Sequence, residues 1–170
     1  MCKFRDLTKD EIEVRVQSVS EKGVILLLYK DARVDMNILD ETVGSQNWQR
    51  EHYECKGNLF CRVGIKDKDS GEWVWKADCG AESNTEAEKG EASDSFKRAC
   101  VNWGIGRELY TAPFIWIKAE DVNISNKKCN DKFSVEKIQI QNKKITGLAI
   151  RNETKKKRVF VYCENNSSDN

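Results

Sequence analysis

Residues 86–110 read EAEKGEASDSFKRACVNWGIGRELY, and no other stretch constrains this chain so strongly. Ala92, Phe96, Ala99, Cys100 and Trp103 recur at i, i+4, i+7, i+8 and i+11, which is one face of an α-helix. Thr85 stands where an N-cap belongs, and Glu88 follows three residues later with the carboxylate of a capping box. Gly104 comes directly after the last apolar residue, where glycine best tolerates a left-handed helix terminus. Lys97 and Arg98 flank Phe96, so the helix has a core side and a cationic rim. That rim has two readings. Asp94 lies four residues before Arg98 and predicts a surface ion pair worth a few tenths of a kcal/mol, with Lys97 solvated. Alternatively, the two cations face an anionic ligand. Spacing alone leaves both open.

The rest of the chain reads as strands around two helices. Ile12, Val14 and Val16 alternate with charged residues, and Val24 to Tyr29 is a continuous apolar strand. From Asp31 to Val43 the period changes to helical, with Val34, Ile38 and Leu39 as its apolar positions and Gly44 as its end. Trp48 to Cys55, Asn58 to Lys66 and Trp73 to Cys79 then form a meander, joined at Lys56-Gly57 and at Asp67 to Gly71. Pro113 opens a short strand over Phe114 to Ile117, and Phe133 to Tyr162 holds three more alternating runs. The fold class is α+β: a helix, a three-stranded antiparallel meander and a long helix, with flanking strands on both sides. The expected organisation is a core domain over 1–118, a polar linker over 119–132, a basic C-terminal β-strand module over 133–163 and a disordered tail over 164–170.

With 170 residues, of which 39% are hydrophobic and 34% charged, the chain is long enough for one ordinary globular domain. No apolar run reaches the length of a transmembrane helix, so no membrane partner is expected. The opening MCKFRDLTKDE lacks the apolar region of a secretory signal, and a cytoplasmic location in a bacterial or phage-infected cell follows as an expectation. Seven cysteines without a CxxC pair read as reduced thiols, several buried, rather than as zinc ligands. Net charge is only +1, but it is unevenly spread. Residues 118–163 carry 12 Lys+Arg against 5 Asp+Glu, the composition of a polyanion binder or of a solvated lysine-rich hairpin.

Catalytic motifs are scarce. There is no GxxxxGK[ST], and Gly104-Ile105-Gly106 lacks both the third glycine and the strand-to-helix context of a dinucleotide site. His52, the only histidine, falls inside a strand and reads as exposed. Glu72 and Lys76 suggest a metal-dependent nuclease, but the available upstream carboxylates, Asp67 and Asp69, sit in a turn where aspartate usually bonds its own backbone. A binding protein without cofactor or metal is the leading expectation. A nuclease or a structural adaptor stands as the alternative.

LLLYKDARVDMNILDETVGSQNW, a three-stranded meander and then EAEKGEASDSFKRACVNWGIGRELY together resemble the annealing core of the Rad-fifty-two/Sak superfamily. The resemblance runs over residues 24–117. It implies a β-β-β-α annealing core and an ATP-independent, phage-type protein of homologous recombination and repair. Such a protein binds single-stranded DNA, anneals complementary strands and assembles into a ring or helical homo-oligomer. A host single-stranded-DNA-binding protein is a further implied partner. The family's groove arginine falls on Arg33 and its Lys-Arg pair on Lys97 and Arg98. A groove tyrosine of the eukaryotic relatives is Ser45 here and a further arginine is Val101, so Arg50, Arg62, Lys89 or the basic C-terminal strands are candidates to make up the charge. Trp48, Trp73, Trp75, Trp103 and Trp116 offer rings for base stacking. Trp103, on the core stripe, reads as packing, and Trp73 with Trp75 reads as core or interface cover.

Overall fold

The computed structural model describes residues 3–81 and 87–164, with the side chains of all of these except 87–89. In chain order the elements are β1 (Glu13–Ser20), β2 (Gly23–Tyr29), α1 (Ala32–Val43), β3 (Trp48–Cys55), β4 (Asn58–Lys66), β5 (Trp73–Cys79) and α2 (Ala87–Trp103). There follow β6 (Ile115–Lys118), β7 (Ile124–Ser125), β8 (Lys128–Cys129), β9 (Phe133–Gln141), β10 (Lys144–Asn152) and β11 (Lys157–Cys163). Single 3₁₀ turns lie at Lys9–Glu11, Arg107–Thr111 and Ala119–Asp121. The fold mixes two α-helices with antiparallel strands. Two compact units divide it: one takes residues 3–5 and Ala32–Arg107, the other Asp6–Asp31 and the chain from Glu108 onward. The expected N-cap Thr85, the Glu88 side chain of its capping box and the tail beyond Glu164 lie outside the described residues.

In the first unit, β3, β4 and β5 form the meander that the sequence predicts. Lys56 and Gly57 both take positive φ (54° and 74°), as a two-residue hairpin turn requires, and so set the register Cys55↔Asn58 through Trp48↔Ile65. At the second turn, Asp67 Oδ1 accepts bonds from Asp69 N (3.1 Å), Ser70 N (2.9 Å) and Ser70 Oγ (3.0 Å). Strand alternation puts Cys61, Val63 and Ile65 on one face, and α2 packs on that face across β4 and β5. Phe96, Ala99 and Cys100 are fully buried there, so three of the five predicted stripe residues are core. Burying Phe96 alone stabilises the layer by about 2–3 kcal/mol. The approach is close enough to demand glycine at position 80, where a Cβ would stand 2.3 Å from the backbone oxygen of Glu91. Helix α1 buries Ile38, Leu39 and Val43 and ends at Gly44 (φ 88°), and it packs against α2 and β3.

In the second unit, the strand order β11-β10-β9-β1-β2-β6 makes one antiparallel sheet, and its two edge strands, β11 and β6, come into contact. Val24, Leu26, Ile115, Ile117, Ile145 and Ile150 fill its core. Strands β1 and β9 share only the pairs Glu13↔Ser134 and Val14↔Phe133. The basic C-terminal strands therefore lie beside β1 in a common sheet, whereas the sequence reading set them apart as a module.

The stretch expected to be a polar linker is structured. It holds the β7–β8 hairpin, turned by Asn126 (φ 50°) and Lys127 (φ 58°), and it is pinned from below by a buried amide. Fully buried Asn152 donates through Nδ2 to Asp121 O (3.1 Å) and Asp131 Oδ2 (2.8 Å). Burial pushes the Asp131 carboxyl up, but bonds from Asn152 and from the backbone and side chain of Asn123 outweigh it and hold the pKa below its ordinary value.

Candidate nucleic-acid interface

The cationic rim of α2 is present. Arg98 Nε meets Asp94 Oδ2 at 2.9 Å, the i,i+4 pair that the sequence predicts, while 42% of the Arg98 side chain stays exposed. The same Asp94 oxygen accepts Ala81 N at 3.0 Å, so this carboxylate also fixes the chain just after β5. Lys97 is half-buried and makes no hydrogen bond or ion pair with a described residue. Arg33 stands exposed on the first turn of α1. Because α1 packs on α2, the structure brings the helices that carry Arg33, Lys97 and Arg98 into one layer of one unit.

Arg50 and Arg62 point to opposite faces of the meander. Arg50 pairs across the strands with Val63, so it faces the helices. Its guanidinium lies 4.7 Å from the centroid of Phe96, whose ring also stacks on Trp48 at 6.1 Å. Arg50 is exposed, which places a further cation beside the residue that Lys97 flanks. Its charge pulls the neighbouring Cys61 thiol down, but burial dominates and pushes that pKa up to about 11, so Cys61 is an inert thiol. Arg62 pairs with Glu51 on the outward face, through Nε at 2.8 Å and Nη2 at 2.5 Å, and covers the Trp75 ring at 4.4 Å. The structure therefore separates Arg62 from the helix rim. The Lys89 side chain lies outside the described residues.

Several side chains take roles that the sequence reading missed. His52 is half-buried rather than exposed, with Nε2 3.0 Å from Ala92 O on α2. Lys76 Nζ donates to Asn102 O at 2.9 Å and sits 4.6 Å from the Trp103 centroid. Arg107 Nη2 donates to Val101 O (3.1 Å) and Asn102 O (3.3 Å). Two cations thus satisfy the carbonyls at the end of α2, where the helix dipole is negative. Lys76 Nζ is thus bonded in that cap and Asp67 Oδ1 in its turn. Among the described residues, no group of three or more His, Cys, Asp or Glu is placed to hold a metal ion.

Several cations of the basic C-terminal strands are ion-paired. Lys143 pairs with Asp6 (2.9 Å) and Arg158 with Glu136 (2.5 Å), while Lys144 pairs with Glu164 and Lys157 with Asp121. The Glu136 carboxyl is held below its ordinary pKa by the Arg158 hydrogen bond. Lys127, Lys128, Lys132, Lys137 and Lys156 stay exposed, two of them in turns. Of the acids in those pairs only Asp6 and Glu164 lie outside residues 118–163, so the pairs offset two of the seven excess positive charges of that stretch.

A family model for the Rad52/22 family double-strand break repair protein matches residues 4–128. The chain belongs to this family. The Rad52/22 match takes in Arg33, Arg50, Lys97 and Arg98 and stops before β9. Membership places the chain in DNA recombination and repair, among proteins that bind and anneal DNA. No curated protein and no solved structure matches it. Among the described residues, no helix is long and apolar enough to cross a membrane.

Proposed function

We propose that this protein binds single-stranded DNA along the α1–α2 layer and anneals complementary strands without nucleotide hydrolysis, acting as a phage-type homo-oligomer. The observation that carries the reading is the cationic rim of α2, where Lys97 and half-exposed Arg98 stand beside Phe96 with Arg50 over its ring. Arg33 rides on the helix packed against them. Annealing requires cations on the sugar-phosphate backbone and base edges left free to pair. Arginine and lysine side chains meet that demand, and they accept any sequence because they read charge. Each protomer spans only a few nucleotides, so a long strand calls for protomers side by side.

The test is the double variant Lys97→Ala with Arg98→Ala. Neither side chain belongs to the packed core, so thermal unfolding stays near that of the wild type. Single-strand affinity and annealing rate fall, and the slope of log K against log salt becomes shallower by about 1.4, two phosphate contacts at roughly 0.7 each. Undiminished annealing by the variant would show that the rim is an ordinary solvated surface.

A further inference from the structure

Among the described residues, Arg50 makes no hydrogen bond or ion pair, so the Phe96 ring 4.7 Å away is the seat of its charge. Trp48 stacks on the same ring at 6.1 Å, with 26° between the planes. Trp48 in turn donates through Nε1 to Asp40 Oδ1 at 2.6 Å. Asp40 stands on the closing turn of α1, where its backbone oxygen accepts Gly44 N at 3.0 Å. A line of contacts therefore runs from α1 through β3 to the buried ring of α2. Phe96 is fully buried, Trp48 half-buried and Asp40 exposed.

Ile38, Leu39 and Val43 hold α1 in its layer by apolar burial, which is non-directional. A short hydrogen bond to a charged acceptor is directional, and roughly twice as strong as a neutral one. Asp40 follows Arg33 by seven residues, about two helical turns, which puts both on one side of α1 and about 10.5 Å apart along its axis. We infer that Asp40 and Trp48 are positioning residues for DNA binding: their bond fixes the rotation and axial position of α1, and so sets the place from which Arg33 meets a strand held by Lys97 and Arg98. An exposed carboxylate on the side of Arg33 repels phosphate, and its bond to Trp48 is the structural return for that cost. The inference rests on the DNA-binding reading proposed above and concerns the alignment of the two helices, which that reading leaves open.

Salt titrations of single-stranded DNA binding, followed by fluorescence anisotropy, count the phosphates that each variant neutralises. Arg33→Ala is expected to make the slope of log K against log salt shallower by about 0.7, one phosphate contact. Trp48→Phe keeps a ring against Phe96 and deletes the N–H, and it is expected to lose the same amount. The double variant loses about 0.7 in total rather than about 1.4, because Arg33 has already left the strand. Such non-additivity marks a residue that acts through another, and a role in stability alone does not produce it. Asp40→Ala breaks the same bond from its exposed end and keeps the test open if the Trp48 variant fails to fold in a urea melt. Asp40→Asn keeps the acceptor oxygen, and its slope equals or exceeds that of the wild type. Additive losses in the double variant would overturn the positioning role and leave the annealing function standing. So would a wild-type slope in both Trp48→Phe and Asp40→Ala, or an Asp40→Asn slope as shallow as that of Asp40→Ala. A wild type that bound no single-stranded DNA would overturn the annealing function and this inference with it.

Discussion

Asp94→Asn tests the rim by adding function rather than removing it. Asp94 does two things: its carboxylate sits 2.9 Å from Arg98 Nε, and it accepts Ala81 N at 3.0 Å. Asparagine keeps an oxygen for the amide and deletes the charge. The loss to the fold is that of a half-exposed i,i+4 pair, about 0.3–0.5 kcal/mol. The gain to binding comes from repulsion removed. A phosphate on the outer edge of the same guanidinium places its charge roughly 6 Å from the carboxylate, where two like charges in water repel by about 0.7 kcal/mol. Affinity for single-stranded DNA is therefore expected to rise about threefold at low salt. Arg98 also neutralises a phosphate more completely, so the salt slope steepens by up to about 0.7. Anisotropy titrations across a salt series measure both quantities, with a urea melt as the control for folding. Unchanged or weaker binding at every salt concentration, with an unchanged melt, would refute the idea that Arg98 meets phosphate.

Phe96→Ala empties a fully buried site under Trp48 and Arg50, and it is expected to lower stability by about 3–5 kcal/mol in urea unfolding. Asn152→Ala removes one of the bonds that hold the Asp131 carboxyl below its ordinary pKa of about 3.8, the Asn123 bonds remaining. In the wild type the charged form stabilises the fold fully above that value, and the contribution is lost as pH falls through the lower folded pKa. The variant is less stable at neutral pH and begins acid unfolding at higher pH, which circular dichroism across a pH series will detect. Alkylation by iodoacetamide at pH 8, mapped by mass spectrometry, is expected to label exposed Cys55 and Cys163 and to spare Cys61, whose thiol is pushed up to about 11.

Much of the first unit is legible in sequence because its signals are local. Lys56-Gly57 fixes a two-residue turn, the flanking alternation fixes the strands, and Gly44 and Gly104 (φ 99°) write the ends of both helices. The separation of Arg50 from Arg62 was also latent there. The turn dictates Cys55↔Asn58, and counting back from it pairs Arg50 with buried Val63 and Arg62 with Glu51. The caps on α2 were not legible, since Lys76 comes from a strand about 26 residues earlier and no local pattern announces it. The β7–β8 hairpin escaped for a different reason. Its Asn126-Lys127 turn repeats the Asn142-Lys143 dipeptide of the β9–β10 turn, but two-residue strands carry no alternation to confirm it. The β1–β9 pairing rests on two residue pairs across most of the chain, a contact that only tertiary structure supplies.

That last pairing sets an order of events during synthesis. The hairpin of β1 and β2 leaves the ribosome first, but its neighbours β6 and β9 emerge only after the whole of the first unit. The meander and α2 contain all their partners within one continuous stretch and can close as soon as they appear, while the two earliest strands wait with open edges. A pause before β9 would therefore leave β1 as an open edge of the sheet, with Ile145 and Ile150 not yet present to fill the core. Aggregation of nascent chains halted before β9 is the expected hazard of this topology.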